Sequence, residues 1–326
     1  MGLQKIMTIQ TVLGPIPVSD LGITLPHEHL FINLLRERRG DGLSHDENLL
    51  AAELAVFREQ GGSTVVELSS HDLTVGASVT AASDRGRSTR PIENVEAIAR
   101  LSKTTGLNIV LGTGHYRDPF LNQEFFDTHS VDEIADGMVV DLTEGFPGTH
   151  ARAGVIGEIG SDKWFISARE ERSFRAAARA SRRTNAGLYT HAARWPVGLA
   201  QLDLLAEESM QPDRIAVGHV DTVPAVDYAI AIAKRGVFVG IDTMFEATEH
   251  AVRNRVELVL RLVDAGFADQ VLLSQDVCVP SQLQANGGPG FGLVHGLFKS
   301  RALSAGLDEG LFSRMASDNP ARFLAG

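Results

Sequence analysis

Eight short apolar runs, separated by longer segments with helical periodicity, limit the folds open to this chain more than any other feature. The runs are rich in Val, Ile and Leu, and several begin or end with Gly. Because they are apolar throughout rather than alternating with polar residues, they are typical of parallel strands covered by helices on both faces. The predicted strands span residues 22–27, 64–69, 108–114, 153–160, 187–192, 215–220, 236–242 and 270–276.

Eight strand–helix repeats predict an α/β fold of the (β/α)8, or TIM barrel, type, since this number of parallel strands can close on itself. A doubly wound open sheet is the alternative, but no G-x-G-x-x-G motif follows the first predicted strand. No low-complexity segment or long linker divides the chain, and such barrels commonly contain about 250 residues or more. We therefore expect residues 1–326 to form a single barrel domain.

Local signals predict where several connecting segments begin and end. Ser44 is a candidate N-cap for the helix after the first strand, and residues 130–145 are expected to contain a helix within a long connection. The closing segment predicts a last helix capped at Ser317 or Asp318. Residues 277–299 are rich in Gly and Pro, and the glycines of 287–292 predict a flexible substrate loop.

The composition limits which binding partners and which cellular compartment can be expected. The chain has 326 residues, a formal net charge of −11 and one cysteine, Cys278. An acidic protein is a poor partner for nucleic acid or an anionic membrane, because phosphate binding needs a basic surface. A single cysteine allows no intramolecular disulfide, and the sequence shows neither a secretory signal nor an apolar run of about 20 residues. We therefore expect a cytoplasmic protein that acts on a small molecule.

Histidines and carboxylates recur at the ends of the predicted strands. In a barrel the C-terminal ends of the strands meet on one face, where active sites lie. For each histidine alone, a hydrogen-bonded position in the core is the ordinary alternative, and the glutamate of the fourth strand could instead pair with an arginine. The barrel fold nevertheless predicts one pocket that gathers His27, His29, Glu158, His191, His219 and Asp276.

The spacing of His27 and His29 indicates metal binding. Residues two apart in a strand point to the same side, so both imidazoles can hold one ion while Glu28 faces away. Neutral imidazole is the commonest ligand for zinc and similar ions. The whole set offers enough ligands for two divalent ions about 3.5–4 Å apart, which can hold a hydroxide between them. Zinc is the expected metal, although manganese, cobalt or iron accept the same ligands.

Six segments, in the order in which they occur, closely resemble the phosphotriesterase family of the amidohydrolase superfamily. They are LPHEHLF, AGVIGEIG, YTHA, VGHVD, LLSQD and DNPARFLA, and the resemblance extends from about Gly14 to Leu324. The H-x-H motif alone is weakly specific, whereas the ordered set of H-x-H, carboxylate, His, His and Asp is strongly specific. The resemblance implies an amidohydrolase-type barrel with a dinuclear metal centre, and commonly a homodimer.

The resemblance also implies how the ligands divide between two ions. His27, His29 and Asp276 would hold the more buried ion, and His191 and His219 the more exposed one. Asp276 would in addition be the catalytic residue that accepts a proton from the nucleophile and passes it to the leaving group.

The bridging ligand is where this sequence departs from many members of the family. In those members a carbamylated lysine joins the two ions, but Gly157 stands at the corresponding position here. Glu158 follows directly, as in the branch that resembles phosphotriesterase homology proteins, where the glutamate bridges instead. Lys163 lies beyond the strand and is a poor substitute.

These expectations describe a metal-dependent hydrolase in which a hydroxide bridging two ions attacks a lactone or a carboxylic ester. Tyr116, His115 and Arg255 are candidate substrate-binding residues. A local hydrogen bond is at least as good an account of His115, and a solvated helix position is the ordinary account of Arg255. One alternative function is hydrolysis of an organophosphate or phosphodiester. Another, from a different class, is a non-catalytic barrel that binds a small molecule.

Overall fold

The computed structural model describes residues 7–74 and 90–325. Eight parallel strands lie in chain order in one sheet whose two edges approach each other, so the predicted barrel is confirmed. The consecutive order excludes a doubly wound sheet, in which the strand order reverses at a switch point. The strands are β1 (Ile23–Glu28), β2 (Gly62–Glu67), β3 (Asn108–Thr113), β4 (Val155–Gly160), β5 (Leu188–His191), β6 (Ile215–Gly218), β7 (Phe238–Ile241) and β8 (Val271–Leu273).

Helices cover the outside of the sheet. They are α1 (Glu47–Glu59), α2 (Ile92–Thr105), α3 (Gln123–Thr128), α4 (Val131–Thr143), α5 (Ala168–Thr184), α6 (Gly198–Glu207), α7 (Val226–Ala233), α8 (Glu249–Asp264), α9 (Lys299–Ser304), α10 (Glu309–Ser313) and α11 (Asn319–Ala325). Helix α5 is amphipathic: Phe174 and Ala177 are buried, whereas Arg179 pairs with Glu208. Among the described residues, no helix is both long and apolar enough to cross a lipid bilayer.

The apolar core has two layers, because successive side chains of a strand point to opposite faces of the sheet. The inner layer takes one side chain from each of seven strands, namely Val66, Val110, Val155, Tyr189, Ala216, Phe238 and Leu272. The outer layer lies between the sheet and the helices and includes the neighbouring strand residues Val65, Ile109 and Val217. Strand interiors are therefore apolar on both faces, as the uninterrupted runs in the sequence predict.

The N-terminal end of the barrel is closed by the two ends of the chain. A hairpin of strands Thr8–Thr11 and Gly14–Pro17 contributes Ile9 to the inner layer, and α11 contributes Phe323. The guanidinium of Arg214, just before β6, donates to the carbonyl oxygen of Phe323 at 3.2 Å. The C-terminal end of the barrel is left for the polar residues that follow the strands.

Two helix starts differ from the predictions, and one agrees. Helix α1 is capped by Asp46, which accepts hydrogen bonds from the amides of two first-turn residues, while Ser44 lies in a short strand. The last helical segment starts with Asp308 as the N-cap of α10 and continues through a π-helical turn into α11, so neither Ser317 nor Asp318 is a cap. In the long connection, Ser130 forms a capping box at the start of α4, which confirms the predicted helix.

The irregular Gly/Pro-rich segment after β8 ends earlier than the predicted residue 299, and its glycine-rich part packs against α1 rather than over the cavity. A π-helical turn over Val294–Phe298 leads directly into α9. Added Cβ atoms at Gly290 and Gly292 would lie within 3 Å of Glu53 and Val56 in α1, so these glycines allow close packing against that helix. The predicted substrate loop at 287–292 is therefore wrong, because this segment packs on a helix and none of its residues lines the cavity described below.

The two edges of the sheet meet between β1 and the residues that follow β8. The amide of His29 donates to the carbonyl oxygen of Val277, and the amide of Asp276 donates to that of His27, both at 3.2 Å. The hydroxyl of Ser274 accepts from the amide of His27 at 3.0 Å. These contacts attach the segment after β8 to the H-x-H segment and thereby bring Asp276 next to both histidines.

Candidate metal centre

Glu158, at the C-terminal half of β4, lies at the centre of the polar cluster. Its side chain is buried, and Oε1 lies 2.7 Å from Nδ1 of His191 and 2.7 Å from Nε2 of His219. The same oxygen is 3.4 Å from Nε2 of His27, and Oε2 is 3.8 Å from Nε2 of His29. One carboxylate therefore faces all four imidazoles that the sequence places at strand ends.

Asp276 completes the set from the segment after β8. It lies across the barrel seam, the junction where this segment meets β1. Its Oδ1 lies 3.2 Å from Nε2 of His29 and 3.9 Å from Nε2 of His27. Asp276 is in contact with the cavity, as are His29, His191 and His219. The six residues predicted as ligands are thus brought together on one face of the barrel.

Position 157 leaves no room for the bridging lysine that the resemblance would place there. Gly157 has a φ of +136°, and a Cβ added there would lie 2.6 Å from the carbonyl oxygen of Tyr189. Any side chain at this position is therefore excluded by the backbone of the next strand. Lys163 is exposed and lies outside the cluster. The carboxylate of Glu158 is the group that occupies the position between the imidazoles.

The arrangement of ring nitrogens fits metal cations. Nε2 of His27 is buried without a hydrogen-bond partner in the described part of the chain. Nδ1 of His191 and Nε2 of His219 lie only 2.9 Å apart, and both face Glu158. An N–H of one ring could donate to the other, but both nitrogens can equally direct their lone pairs at a cation held beside the carboxylate. Among the described residues, the triples close enough to hold an ion are His27–His29–Glu158, Glu158–His191–His219 and His27–His219–Asp242.

The pKa shifts in the cluster also indicate a site that favours positive charge. Burial would raise the pKa of Glu158, but the imidazoles of His191 and His27 hold it well below its ordinary value. Burial would lower the pKa of His27, yet the Glu158 and Asp242 carboxylates raise it to about 10. Burial lowers the pKa of His191 to about 4, so this imidazole is neutral at physiological pH and has a lone pair for an ion.

Asp242, just after β7, is a member of the site that the sequence analysis missed. Its Oδ2 lies 2.8 Å from Nδ1 of His27, and its Oδ1 lies 3.0 Å from Nδ1 of His219. The hydroxyl of Tyr189 donates to Oδ2 at 2.8 Å. A carboxylate that accepts from Nδ1 leaves the lone pair on Nε2 and orients the ring toward the metal. The signal was present, since this aspartate stands at a strand end like the predicted ligands.

The three predicted substrate-binding residues have different surroundings. Tyr116 lines the cavity, and its hydroxyl lies 3.2 Å from Nδ1 of His191. His115 is buried beside Asp72, with Nδ1 at 3.2 Å from a carboxylate oxygen, and is not part of the cavity wall. The guanidinium of Arg255 pairs with the buried carboxylate of Asp221 at 2.9 Å and is also absent from the wall. Local hydrogen bonding is thus the observed state of His115 and Arg255.

The cavity above the cluster has a volume of about 470 Å³. One part of its wall is apolar, with Leu73 and Phe245 among its residues, and another part carries the guanidinium groups of Arg38, Arg117 and Arg194. Arg117 is neutralised by Glu37 and Asp162. A small organic molecule fits such a space and would reach the imidazoles and Asp276 at its floor.

A (β/α)8 barrel with four histidines and three carboxylates at its C-terminal face is typical of the class of metal-dependent barrel hydrolases. The profile of the phosphotriesterase family matches residues 7–324. The chain therefore belongs to the phosphotriesterase family and is a hydrolytic enzyme.

Three known proteins illustrate the similarity. The phosphotriesterase homology protein of Escherichia coli K12 is 30% identical over 304 residues, which cover 93% of this chain and 98% of that protein. An aryldialkylphosphatase of Saccharolobus solfataricus is 34% identical over 266 residues, which cover 80% of this chain and 78% of that protein. The crystal structure of a lactonase from Listeria monocytogenes superposes with a TM-score of 0.83 at 26% identity, covering 97% of this chain and 98% of that one.

Proposed function

We propose that this protein is a dinuclear metal-dependent hydrolase that opens a lactone or cleaves a carboxylic ester. The observation that carries the proposal is the position of Glu158, whose carboxylate oxygens face all four imidazoles at distances of 2.7 to 3.8 Å. A buried carboxylate among four rings is suited to bridge two cations, and a single ion would leave part of the ring set unused.

The family resemblance divides the residues between two ions. His27, His29 and Asp276 would hold one ion, His191 and His219 the other, and Glu158 both. When bound, such a pair of ions supplies a hydroxide between them and polarises the oxygen that gains negative charge. Nitrogen and oxygen ligands of this kind suit zinc first, and manganese, cobalt or iron next.

Two side chains of the cavity provide the rest of the chemistry. The carboxylate of Asp276 faces the cavity and can take a proton from the nucleophile and deliver it to the leaving alcohol. Burial and the nearby Glu158 carboxylate raise the pKa of Tyr116 well above its ordinary value, so its phenol keeps its proton. The hydroxyl of Tyr116 can therefore donate a hydrogen bond to the carbonyl oxygen of the substrate.

A lactone or ester is favoured over a phosphotriester by the likeness to a lactonase structure over nearly the whole chain. The apolar part of the cavity wall suits the carbon skeleton of such a substrate. Phosphotriester hydrolysis is the second candidate, because the aryldialkylphosphatase is 34% identical to this chain over 266 residues. A non-catalytic barrel is disfavoured because no residue of the expected ligand set other than the lysine is missing.

The test compares two matched substrates on protein loaded with zinc or manganese. We expect kcat/KM for an aliphatic γ-lactone to exceed that for a diethyl aryl phosphotriester by about a hundredfold or more, which corresponds to about 2.7 kcal/mol of transition-state stabilisation. The reverse ratio would assign the phosphotriesterase function instead. Elemental analysis of the same samples separates these outcomes from a binding protein, since about zero metal per chain and no turnover of either substrate would refute both hydrolase proposals.

A further inference from the structure

The residue between the two metal-binding histidines, Glu28, has a specific environment of its own. Its carboxylate is fully buried and turned toward the segment after β8. Oε1 lies 2.8 Å from the amide nitrogen of Gln275 and 2.7 Å from the hydroxyl of Ser274. Oε2 lies 2.9 Å from the amide nitrogen of Val277. Both oxygens thus accept hydrogen bonds from one short stretch of backbone.

Asp276 lies between the two amides that Glu28 accepts from. Its φ is +53°, in the left-handed region that residues other than Gly rarely adopt. Such a conformation is unfavourable for a residue with a side chain and persists where the surroundings impose it. The contacts of Glu28 to Gln275 and Val277 fix the backbone on both sides of Asp276, and the amide of Asp276 itself donates to His27.

The position of Glu28 at the barrel seam explains why an acceptor is needed there. Strands β1 and β8 occupy the two ends of the sheet order. Backbone amides after β8 therefore need other acceptors, because an unpaired buried N–H is unfavourable. A carboxyl group has two oxygens, so it can accept from two backbone amides at once, here those of Gln275 and Val277.

We propose that Glu28 is a positioning residue, which holds Asp276 in its left-handed conformation and so aims the Asp276 carboxylate at the metal centre and the cavity. The inference rests on the proposed hydrolase function of the same site. Glu28 acts through the backbone of residues 275–277 and does not itself touch the substrate. The carboxylate between the two histidines is thus a structural support for the catalytic aspartate on the far side of the seam.

The proposed role holds for both protonation states of Glu28. Burial, opposed by the hydrogen bonds from Val277 and Ser274, raises the pKa of Glu28 to about 8. When Glu28 is protonated, its O–H can donate to the Ser274 hydroxyl, which can in turn donate to the carbonyl oxygen of His27 at 2.9 Å. Both backbone amides keep their acceptors in either state.

Glu53 offers a matched control for a role that is only structural. It is also buried, and its two oxygens accept from the amides of Gln284 and Ala285 at 2.9 and 2.8 Å. It therefore anchors a backbone segment in the same way, but that segment packs on α1 and carries no metal ligand. Glu28→Gln and Glu53→Gln each replace one acceptor oxygen by an NH₂ group, whose nitrogen has no lone pair for a backbone N–H.

The experiment compares both variants with the wild type after loading with Co²⁺, whose visible absorption reports the geometry of its ligands. For Glu28→Gln we expect an altered Co²⁺ spectrum and a kcat lower by about tenfold to a hundredfold at nearly unchanged KM, because misplaced catalytic groups have effects of this size. For Glu53→Gln we expect a lower unfolding free energy, with the Co²⁺ spectrum and kcat of the wild type.

Equal losses of stability in the two variants, with wild-type spectrum and kcat in Glu28→Gln, would overturn the proposal. If Glu28→Gln does not fold, Glu28→Asp is the milder variant, since it keeps a carboxylate but shortens its reach toward the amides of Gln275 and Val277. We expect it to shift the Co²⁺ spectrum and lower kcat about threefold, a loss of about 0.7 kcal/mol, and an unchanged spectrum and kcat would count against the role. The spectra test Glu28 even where the wild type hydrolyses no lactone, so failure of the proposed function is recognised separately.

Discussion

Oδ2 of Asp242 lies 2.8 Å from Nδ1 of His27, although Asp242 follows β7, two strands away around the barrel from the strand that carries the H-x-H motif. The other oxygen of the same carboxylate lies 3.0 Å from Nδ1 of His219. In the proposed centre these two imidazoles belong to different ions. A single buried carboxylate therefore sets the tautomer and the ring orientation of one ligand for each ion.

Replacing Asp242 by Asn should weaken metal binding by about tenfold to a hundredfold. The amide has only one oxygen, so either His27 or His219 must face its NH₂ group and carry the proton on Nε2, which points at the metal. The measurement is competition for zinc with a chelator of known affinity. Tyr189→Phe is the control, because it removes one hydrogen bond to Asp242 and leaves the carboxylate in place. Metal affinity in Asp242→Asn equal to that of the control would contradict this account.

Glu158→Ala should lose at least one of the two ions. The variant removes the only carboxylate that contacts all four imidazoles in the described structure, and it leaves His191 and His219 with ring nitrogens 2.9 Å apart and no anion between them. Elemental analysis after dialysis gives the metal content directly, and the wild type treated in parallel is the reference. A content unchanged from the wild type would refute the bridging role of Glu158.

The barrel and the clustering of the six predicted ligands were accessible from the sequence because both follow from short-range rules. Uninterrupted apolar runs indicate buried parallel strands, and polar residues at the ends of such strands must meet on one face. All eight predicted strands are present, with bounds that differ by a few residues. These rules do not divide the histidines between two ions, and that division follows from the family resemblance alone.

The residues that support the ligands could not be assigned in the same way. The roles of Asp242 and Glu28 depend on which atoms of segments far apart in the chain lie next to each other at the barrel mouth, and no local pattern in the sequence encodes that pairing. Arg255 illustrates the converse. Its position after β7 suggested the cavity, but the buried carboxylate of Asp221 lies 2.9 Å away and takes up its charge. The amides of residues 242 and 243 donate to Asp221 and hold its carboxylate beside the segment after β7, within reach of Arg255.

Arg255→Met should act mainly on stability. The Asp221 side chain is fully buried, so removal of its cation leaves a carboxylate that must stay charged without a compensating cation or bind a proton, with an expected loss of about 3 kcal/mol in unfolding free energy. Asp221→Asn combined with Arg255→Met should recover part of that loss, because no charge then remains. Urea unfolding of the single and double variants measures the coupling. A large rise in KM at unchanged stability would instead restore the direct role in substrate binding.

Tyr116→Phe should lower kcat by about tenfold, since one neutral hydrogen bond to the reacting carbonyl contributes on the order of 1.4 kcal/mol. Metal content should not change, because the hydroxyl of Tyr116 is not among the proposed ligands. Tyr228→Phe is the matched control: this tyrosine is also buried, and its hydroxyl accepts from the amide of Gly198 far from the cluster. Steady-state kinetics on the lactone distinguish the two, and equal kcat values in both variants would remove Tyr116 from the mechanism.

His295 provides a pH dependence that is independent of the metal centre. Its ring lies between Phe57 and Phe312, and Nε2 is buried without a partner in the described part of the chain. Burial, with the charge of Lys299 on the same helical segment, lowers the pKa of His295 from 6.5 to about 4. Lys299 is itself paired with Glu309 at 3.3 Å.

A histidine with a lowered pKa in the folded state binds its proton more tightly when the chain is unfolded. Its contribution to stability is therefore complete above the unfolded pKa of 6.5 and is lost as the pH falls toward about 4. From about pH 7 to about pH 5 this loss amounts to roughly 2 kcal/mol. Urea unfolding of the wild type and of His295→Leu at both pH values isolates it, because the histidines of the metal centre contribute equally to both proteins. Parallel losses of unfolding free energy in the two proteins would show that His295 titrates normally in the fold.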